Sequence, residues 1–279
     1  MIDSLNLASE IFSRYGAVKR ARKCFLYTEK GVRLTDMYQE GGRAILGWGG
    51  SVFTVLKDVL ERGITGSYYT SFSSPCGRER SQLERAVAEL FGDERRVFIF
   101  SSEAEAIEHA STISPESISF YRPWNPAQVE WQNVACIVFA PPLPWTNDIF
   151  ILAVKNDIFQ SVLEKNKKYD IPESALTDQR FLSSPLCAAV TRSIYDLIKA
   201  IQEREAKDWF IYDQIITKYW ERKGPYLFPK ISPKEYPDFV RHCLDCHLVI
   251  SPVMHIPSVV PFGADKGNFT LLKNNPFKV

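Results

Sequence analysis

Residues 96–104 read RVFIFSSEA, and this junction decides the fold. Val97-Phe98-Ile99-Phe100 is a short, unbroken apolar run, the pattern of a strand covered on both faces. Ser101-Ser102-Glu103-Ala104 follows at once and reads as a helix start, with hydroxyls to cap free N–H groups and an acid in the first turn. Strand into helix is half of a βα unit. A helix start also offers an anion unpaired N–H groups and a positive dipole end. The plainer alternative is that Ser101 and Ser102 only cap the helix and Glu103 serves only its dipole.

The same logic extends in both directions. Upstream, Ser81 and Glu84 suggest a capping box opening a helix whose apolar face is Leu83, Val87, Leu90 and Phe91, ended by Gly92. An earlier helix is expected from Phe53 to Arg62, with Phe53, Val55, Leu56, Val59 and Leu60 on one side. Downstream come three more apolar strand candidates, Ser117–Phe120, Ala135–Phe139 and Ile149–Val154. The polar stretch Lys165–Arg180 reads as a surface excursion. Leu186, Ala189, Val190, Ile194, Leu197, Ile198 and Ile201 follow a helical period, as do Ile211, Ile215, Ile216 and Tyr219. Ser232-Pro233-Lys234-Glu235 reads as a helix start, with Pro237 competing as the first-turn residue. His247–Ile250 reads as a strand, and the proline-punctuated remainder as extended chain. The pattern is an α/β domain flanked by an α+β portion built from both chain ends.

Composition narrows the function classes. The 279 residues are 45% hydrophobic, enough for one large or two modest cores. A net charge of +1 gives no basic stripe for nucleic acid. No window is apolar enough for a membrane helix, and Met1–Gly16 lacks the layout of a signal peptide, so a cytoplasmic protein is expected. The six cysteines are scattered, as free thiols would be. Cys243-x-x-Cys246-His247 has the letter spacing of haem attachment, but a helix end running into a strand accounts for it, and no metal is expected. Ser258–Phe269 (SVVPFGADKGNF) reads as a surface turn or as a loop over a pocket.

Taken in order, these segments resemble the class III pyridoxal-phosphate (PLP) aminotransferases. Tyr27–Asp36 resembles that family's opening hairpin, and Ala44–Gly49 its glycine-histidine segment, with Trp48 in the histidine place. Ser101-Ser102-Glu103-Ala104 resembles its Ser-Gly-Ser/Thr-Glu-Ala turn, where backbone amides and a hydroxyl hold the cofactor phosphate. On that alignment Ser101 replaces a glycine and Ser102 is the phosphate hydroxyl. Arg122–Pro126 resembles a Tyr-His-Gly segment, placing Trp124 where an aromatic stacks on the pyridine ring, with Pro126 for glycine. Leu143–Val154 and Ser184–Ala189 resemble a glycine-leucine-proline segment and an Asn-Pro-Leu-Ala helix start. The likeness is collinear from Tyr27 to Pro252.

The resemblance implies a reduced fold-type-I sheet of four strands, plus an α+β subdomain from both ends. It sets domains at 1–65, 66–180 and 181–279. It also exposes a gap. Between Ile137-Val138-Phe139 and Leu143-Pro144 the family carries two further strands, which bring the ring-nitrogen aspartate and the Schiff-base lysine. Here only Ala140, Pro141 and Pro142 stand between. The flanking strands are then expected to pair directly. Lys155, the nearest lysine, falls after the last strand and reads as a solvated charge. The expectation is therefore a non-catalytic aminotransferase-like protein with no catalytic residue, serving as a structural or partner subunit. The alternative is a divergent PLP- or phosphometabolite-binding protein using Ser101, Ser102, Glu103, Ala104 and Trp124. The family pairs about a two-fold axis, implying a homodimer, or a heterodimer with a full-length relative, partly through Gly66–Phe72.

Overall fold

The computed structural model describes residues 6–65, 78–126, 129–145, 148–168, 182–210 and 212–278. In chain order the first elements are α1 (Leu7–Tyr15), β1 (Val18–Arg22), β2 (Phe25–Thr28), β3 (Arg33–Asp36), α2 (Ser51–Glu61), α3 (Arg78–Phe91), β4 (Arg95–Phe100) and α4 (Glu103–Ile113). Then come β5 (Ile118–Phe120), β6 (Cys136–Phe139), β7 (Phe150–Lys155), α5 (Asn156–Lys168) and α6 (Ser184–Glu203). The last are α7 (Lys207–Phe210), α8 (Asp213–Ile216), β8 (Trp220–Lys223), β9 (Tyr226–Pro229), α9 (Tyr236–Asp245), β10 (Leu248–Val249), β11 (Ser258–Val259) and α10 (Thr270–Asn274). They form two compact units. One comprises residues 1–49, 124–126 and 203–279, the other residues 50–123 and 127–202.

The second unit is the α/β body. Its sheet runs β4-β7-β6-β5 and uses the four strands expected. β7 is antiparallel to both neighbours, from Arg95↔Lys155 to Phe100↔Phe150 on one side and from Cys136↔Val154 to Phe139↔Ile151 on the other. β5 lies parallel to β6 at the edge. The strands on either side of Ala140-Pro141-Pro142 therefore do close ranks. Alternate side chains feed two cores, as the pleat requires. Val97, Ile99, Ile137, Ile151 and Ala153 pack with α3 and α6, through Leu83, Val87, Val190 and Ile194. Phe98, Cys136, Val138, Leu152 and Val154 pack with α4 and α5, through Ala106, Ala110 and Phe159. Burial on both faces explains why these strands are apolar runs rather than alternations.

The other unit holds two small sheets. One is ordered β1-β2-β3-β10, with β2 and β3 the expected hairpin and β10 parallel to β3. The other is ordered β11-β9-β8. An aromatic-rich core of Tyr219, Trp220, Tyr236, Phe239 and Phe269 lies with α9 and β8.

Several expectations need correction. α3 begins at Arg78, so Ser81 lies inside the helix and is not its cap. Glu84 instead accepts from the Val97 N–H at 3.4 Å and pairs with Arg80 and Arg96, tying the helix to β4. α2 buries only Val52, and Leu60 of its apolar stripe is 49% exposed. Before α9 both sequence signals are used. Ser232 donates to Glu235 at 2.6 Å in the preceding turn, and Pro237 sits in the first turn of a helix starting at Tyr236. Residues 213–219 form only the short α8 and a turn, because Tyr219 already leads into β8. α2 and α6 belong to the α/β body, which puts its limits near residues 50 and 202, against the 66 and 180 expected from the resemblance. Residues 165–168 finish α5, whereas 169–180, Ile211 and Gly66–Phe72 lie outside the described residues.

Candidate functional site

The turn after β4 is built as the sequence suggests, but both donors of Ser101 are already used. Ser102 has extended backbone (φ −143°, ψ 156°), and its Oγ accepts from the Glu105 N–H at 3.1 Å, as an N-cap does. The Glu105 carboxylate reaches back over the helix start. It accepts from the Ser101 N–H at 3.1 Å and from the Ser101 hydroxyl at 2.8 Å. This is a reciprocal capping arrangement shifted to the residue before the cap. Ser101, Glu103, Ala104 and Glu105 are all exposed, and Ser102 is half-buried. Both Glu103 and Glu105 lie in the first turn. Two acids there favour the helix dipole and repel an incoming anion. A phosphate that used the Ser101 donors would have to displace the Glu105 carboxylate from them.

Trp124 lies in the other unit. Its ring sits 5.2 Å from that of Trp209 at 58°, with the Arg204 guanidinium 5.1 Å from its centroid. Arg204 also covers the Phe262 ring at 3.9 Å and donates to the Ile45 carbonyl at 3.0 Å. Burial pulls the Arg204 guanidinium down to about 10, as removal of a cation from water demands. The Trp124 carbonyl closes on Gly224, where an added Cβ would meet that oxygen at 2.2 Å. Trp124 is thus a packing residue of this unit, and the Ser101–Ala104 turn belongs to the α/β body.

Trp48, aligned with a histidine, also has a defined place. Its indole N–H donates to Asp36 Oδ2 at 2.7 Å. Asp36 Oδ1 accepts from the Tyr38 and Gln39 N–H groups at 3.0 and 2.8 Å. Burial still pushes the Asp36 carboxyl up to about 6, because desolvation outweighs these bonds. Asp36 and Trp48 share a largely apolar cleft of about 810 Å³ with Ile11, Phe12 and Val249. No sequence pattern flagged this cleft, because its walls are brought together from both chain ends.

Lys155 ends β7 opposite Arg95, its N–H donating to the Ala135 carbonyl. The Cys243-x-x-Cys246-His247 side chains diverge. Cys243 is fully buried, Cys246 Sγ lies 3.8 Å from His242 Nε2, and the His247 ring meets Tyr15 edge-on. Among the described residues no three His, Cys, Asp or Glu side chains cluster as a metal site would need.

No protein-family model matches the chain. An uncharacterized protein of Treponema pallidum (strain Nichols) is 26% identical over 288 residues, 91% of each chain. Another, of Borreliella burgdorferi, is 24% identical over 266 residues, 92% of this chain and 88% of its own. Among solved structures, an acetylornithine aminotransferase from Elizabethkingia anophelis superposes with a TM-score of 0.64 at 11% identity, over 95% of this chain and 96% of that one. The ornithine aminotransferase of Plasmodium yoelii gives 0.62 at 12% identity, over 91% and 90%. A pyridoxamine-phosphate (PMP)-bound aminotransferase from Vibrio fluvialis gives 0.65 at 10% identity, over 95% and 93%. The chain therefore has the fold of the fold-type-I aminotransferases. Identities this low carry the fold and not the chemistry. Among the described residues no helix is long and apolar enough to cross a membrane.

Proposed function

We propose that this protein is a non-catalytic aminotransferase-fold protein that serves as a structural or partner subunit. The observation that carries this reading is the Glu105 carboxylate on Ser101. The turn that would receive a cofactor phosphate holds an internal anion instead. The direct pairing of β6 with β7 supports it, because no strand lies between them to present a lysine. Lys155 lies at the C-terminal end of β7, opposite the first residue of β4. The ring that would stack on a cofactor packs with Trp209 and Arg204. As arranged, these residues do not fit PLP.

The test is a PLP titration of purified protein, read by absorbance and by borohydride trapping followed by mass spectrometry. The expected result is no saturable binding and no reduced adduct on any lysine. A stoichiometric adduct, with transamination that depends on the trapped lysine, overturns the proposal. Assembly is part of the same reading: the protein forms a homodimer or pairs with a longer relative. The exposed apolar stripe of α2 supports this.

A further inference from the structure

We infer that the unit formed by both chain ends carries a binding site for a small carboxylate with an apolar substituent, gripped by Arg204 beside Phe262. Arg204 follows directly on α6. Its guanidinium is packed among three rings, 3.9 Å from the centroid of Phe262, 5.1 Å from that of Trp124 and 5.9 Å from that of Trp209. Nη1 donates to the Ile45 carbonyl at 3.0 Å. All five residues belong to this one unit.

The other edge of the guanidinium is free. Among the described residues, Nε and Nη2 of Arg204 have no hydrogen-bond or ion-pair partner. These two nitrogens form the planar edge that takes a carboxylate side-on. Two other arginines of the chain show what that edge normally holds. Arg95 sets it against Asp93 at 2.7 and 2.8 Å, and Arg222 against Asp213 at 2.7 and 2.9 Å. Arg204 has no such acid, although burial has pulled it down to about 10. A cation drawn out of water without a counter-ion is costly, and native structures normally pair it. Its nearest acids do not fill the edge. Asp208 Oδ2 accepts the Glu205 N–H at 2.9 Å instead, and Glu203 acts on Arg204 only through longer-range attraction.

The free edge is also within reach of a ligand. Arg204 keeps part of its surface, and Phe262, which covers its face, is 39% exposed. Among the described residues, the buried side-chain nitrogens left without a partner are those of Arg43, Arg96, Trp124 and Trp220, and none is on Arg204. The setting selects the anion. A single fork with acids nearby suits a planar monoanion better than a phosphate dianion. The exposed Phe262 ring at the guanidinium gives an apolar substituent on the ligand a surface to cover. This inference is independent of the α4 turn, which belongs to the other unit.

The experiment is titration of the full chain with phenylacetate, acetate, inorganic phosphate and phenethylamine, read by the arginine Nε–H resonances in a nitrogen-15 spectrum. The Arg204 signal is identified by its absence in Arg204→Lys. Wild type is expected to bind one phenylacetate saturably, with the Arg204 Nε–H signal moving downfield. Acetate should bind several-fold more weakly, phosphate no better than acetate, and phenethylamine not at all. Arg204→Lys keeps the charge and loses the fork, so it should weaken phenylacetate binding about tenfold or more, the loss expected for one hydrogen bond to a charged group. Because Arg204 also holds the Ile45 carbonyl, a second variant away from that bond is needed. Phe262→Ser should lower the affinity for phenylacetate several-fold and leave that for acetate unchanged. Absence of saturable phenylacetate binding by wild type overturns the inference. So does binding that leaves the Arg204 Nε–H signal in place, or unchanged binding by folded Arg204→Lys. Phosphate binding tighter than phenylacetate overturns the assignment to a carboxylate, and equal loss of acetate and phenylacetate in Phe262→Ser overturns the apolar contact.

Discussion

The carboxylate of Glu105 accepts both the backbone N–H and the hydroxyl of Ser101, at 3.1 and 2.8 Å. A side chain four residues along thus stands where an anionic ligand would meet the start of α4. The consequence is testable in both directions. Glu105→Ala should destabilise the protein by about 0.5–2 kcal/mol, the usual loss on removing a helix cap. The same variant should gain phosphate affinity at the turn, because the Ser101 donors are released. Thermal melts with and without phosphate read both effects. A variant as stable as wild type would show that the Glu105 contacts contribute nothing in solution.

Gly224 is held by a neighbour as well as by its own backbone. Its φ of 57° is in the left-handed region, and an added Cβ would lie 2.2 Å from the Trp124 carbonyl oxygen. That oxygen is backbone and cannot swing aside. Gly224→Ala should therefore cost about 2–4 kcal/mol, more than a left-handed residue alone, because the β8–β9 turn must shift away from Trp124. Denaturant unfolding followed by tryptophan fluorescence measures it. A loss below about 1 kcal/mol, the scale of the φ penalty by itself, would mean the contact relaxes freely.

The α2 stripe makes the assembly proposal concrete. Phe53, Val55, Leu56 and Val59 are only half-buried and Leu60 is exposed. A helix that keeps an apolar face without burying it is an interface candidate. Light scattering should give a dimer, and Leu60→Asp with Val59→Asp should shift it to monomer while leaving the far-ultraviolet circular dichroism unchanged. A wild-type monomer at working concentration counts against the proposal.

Much of the α/β body was legible because its strands are short apolar runs flanked by helical patterns. That pattern survives any rearrangement at the sheet edge. The pairing of β6 with β7 was legible too, since Ala140-Pro141-Pro142 leaves no length for another strand. Ser101 and Ser102 were recognisable as a helix start, but their engagement was not. Glu105 was hidden because a glutamate in the first turn looks the same whether it faces solvent or folds back onto the cap. The α3 start was misread for a related reason. Ser81 and Glu84 have capping-box spacing, yet Glu84 is drawn to Arg80, Arg96 and the Val97 N–H across the packed face. The packing partners of Trp124 were not legible, because alignment supplies order and not side-chain direction. Its contacts with Trp209, Arg204 and Gly224 come from residues about 80 to 100 positions away, a separation that local patterns do not encode.

The pH dependence that Asp36 gives the fold is opposite in sign to that of a salt-bridged surface carboxylate. In the unfolded chain its carboxyl titrates near its ordinary value of 3.8, and burial pushes it up to about 6 in the folded protein. Between those values the folded state holds a proton that the unfolded state has released. Its contribution is thus most favourable below pH 4 and is lost as pH rises toward 6, by about 3 kcal/mol in all. The pH-dependent stability of wild type minus that of Asp36→Asn isolates this group, and should fall across that window and be flat above pH 7. Trp48 tunes it. The indole N–H favours the charged form, so Trp48→Phe should move the upper edge of the window above 6. It should also destabilise the protein by about 1.5–3 kcal/mol at pH 8, where the carboxylate is charged and loses its donor, and by less at pH 4. Denaturant midpoints at the two pH values decide the matter. An equal loss at both would mean that Trp48 contributes by packing alone.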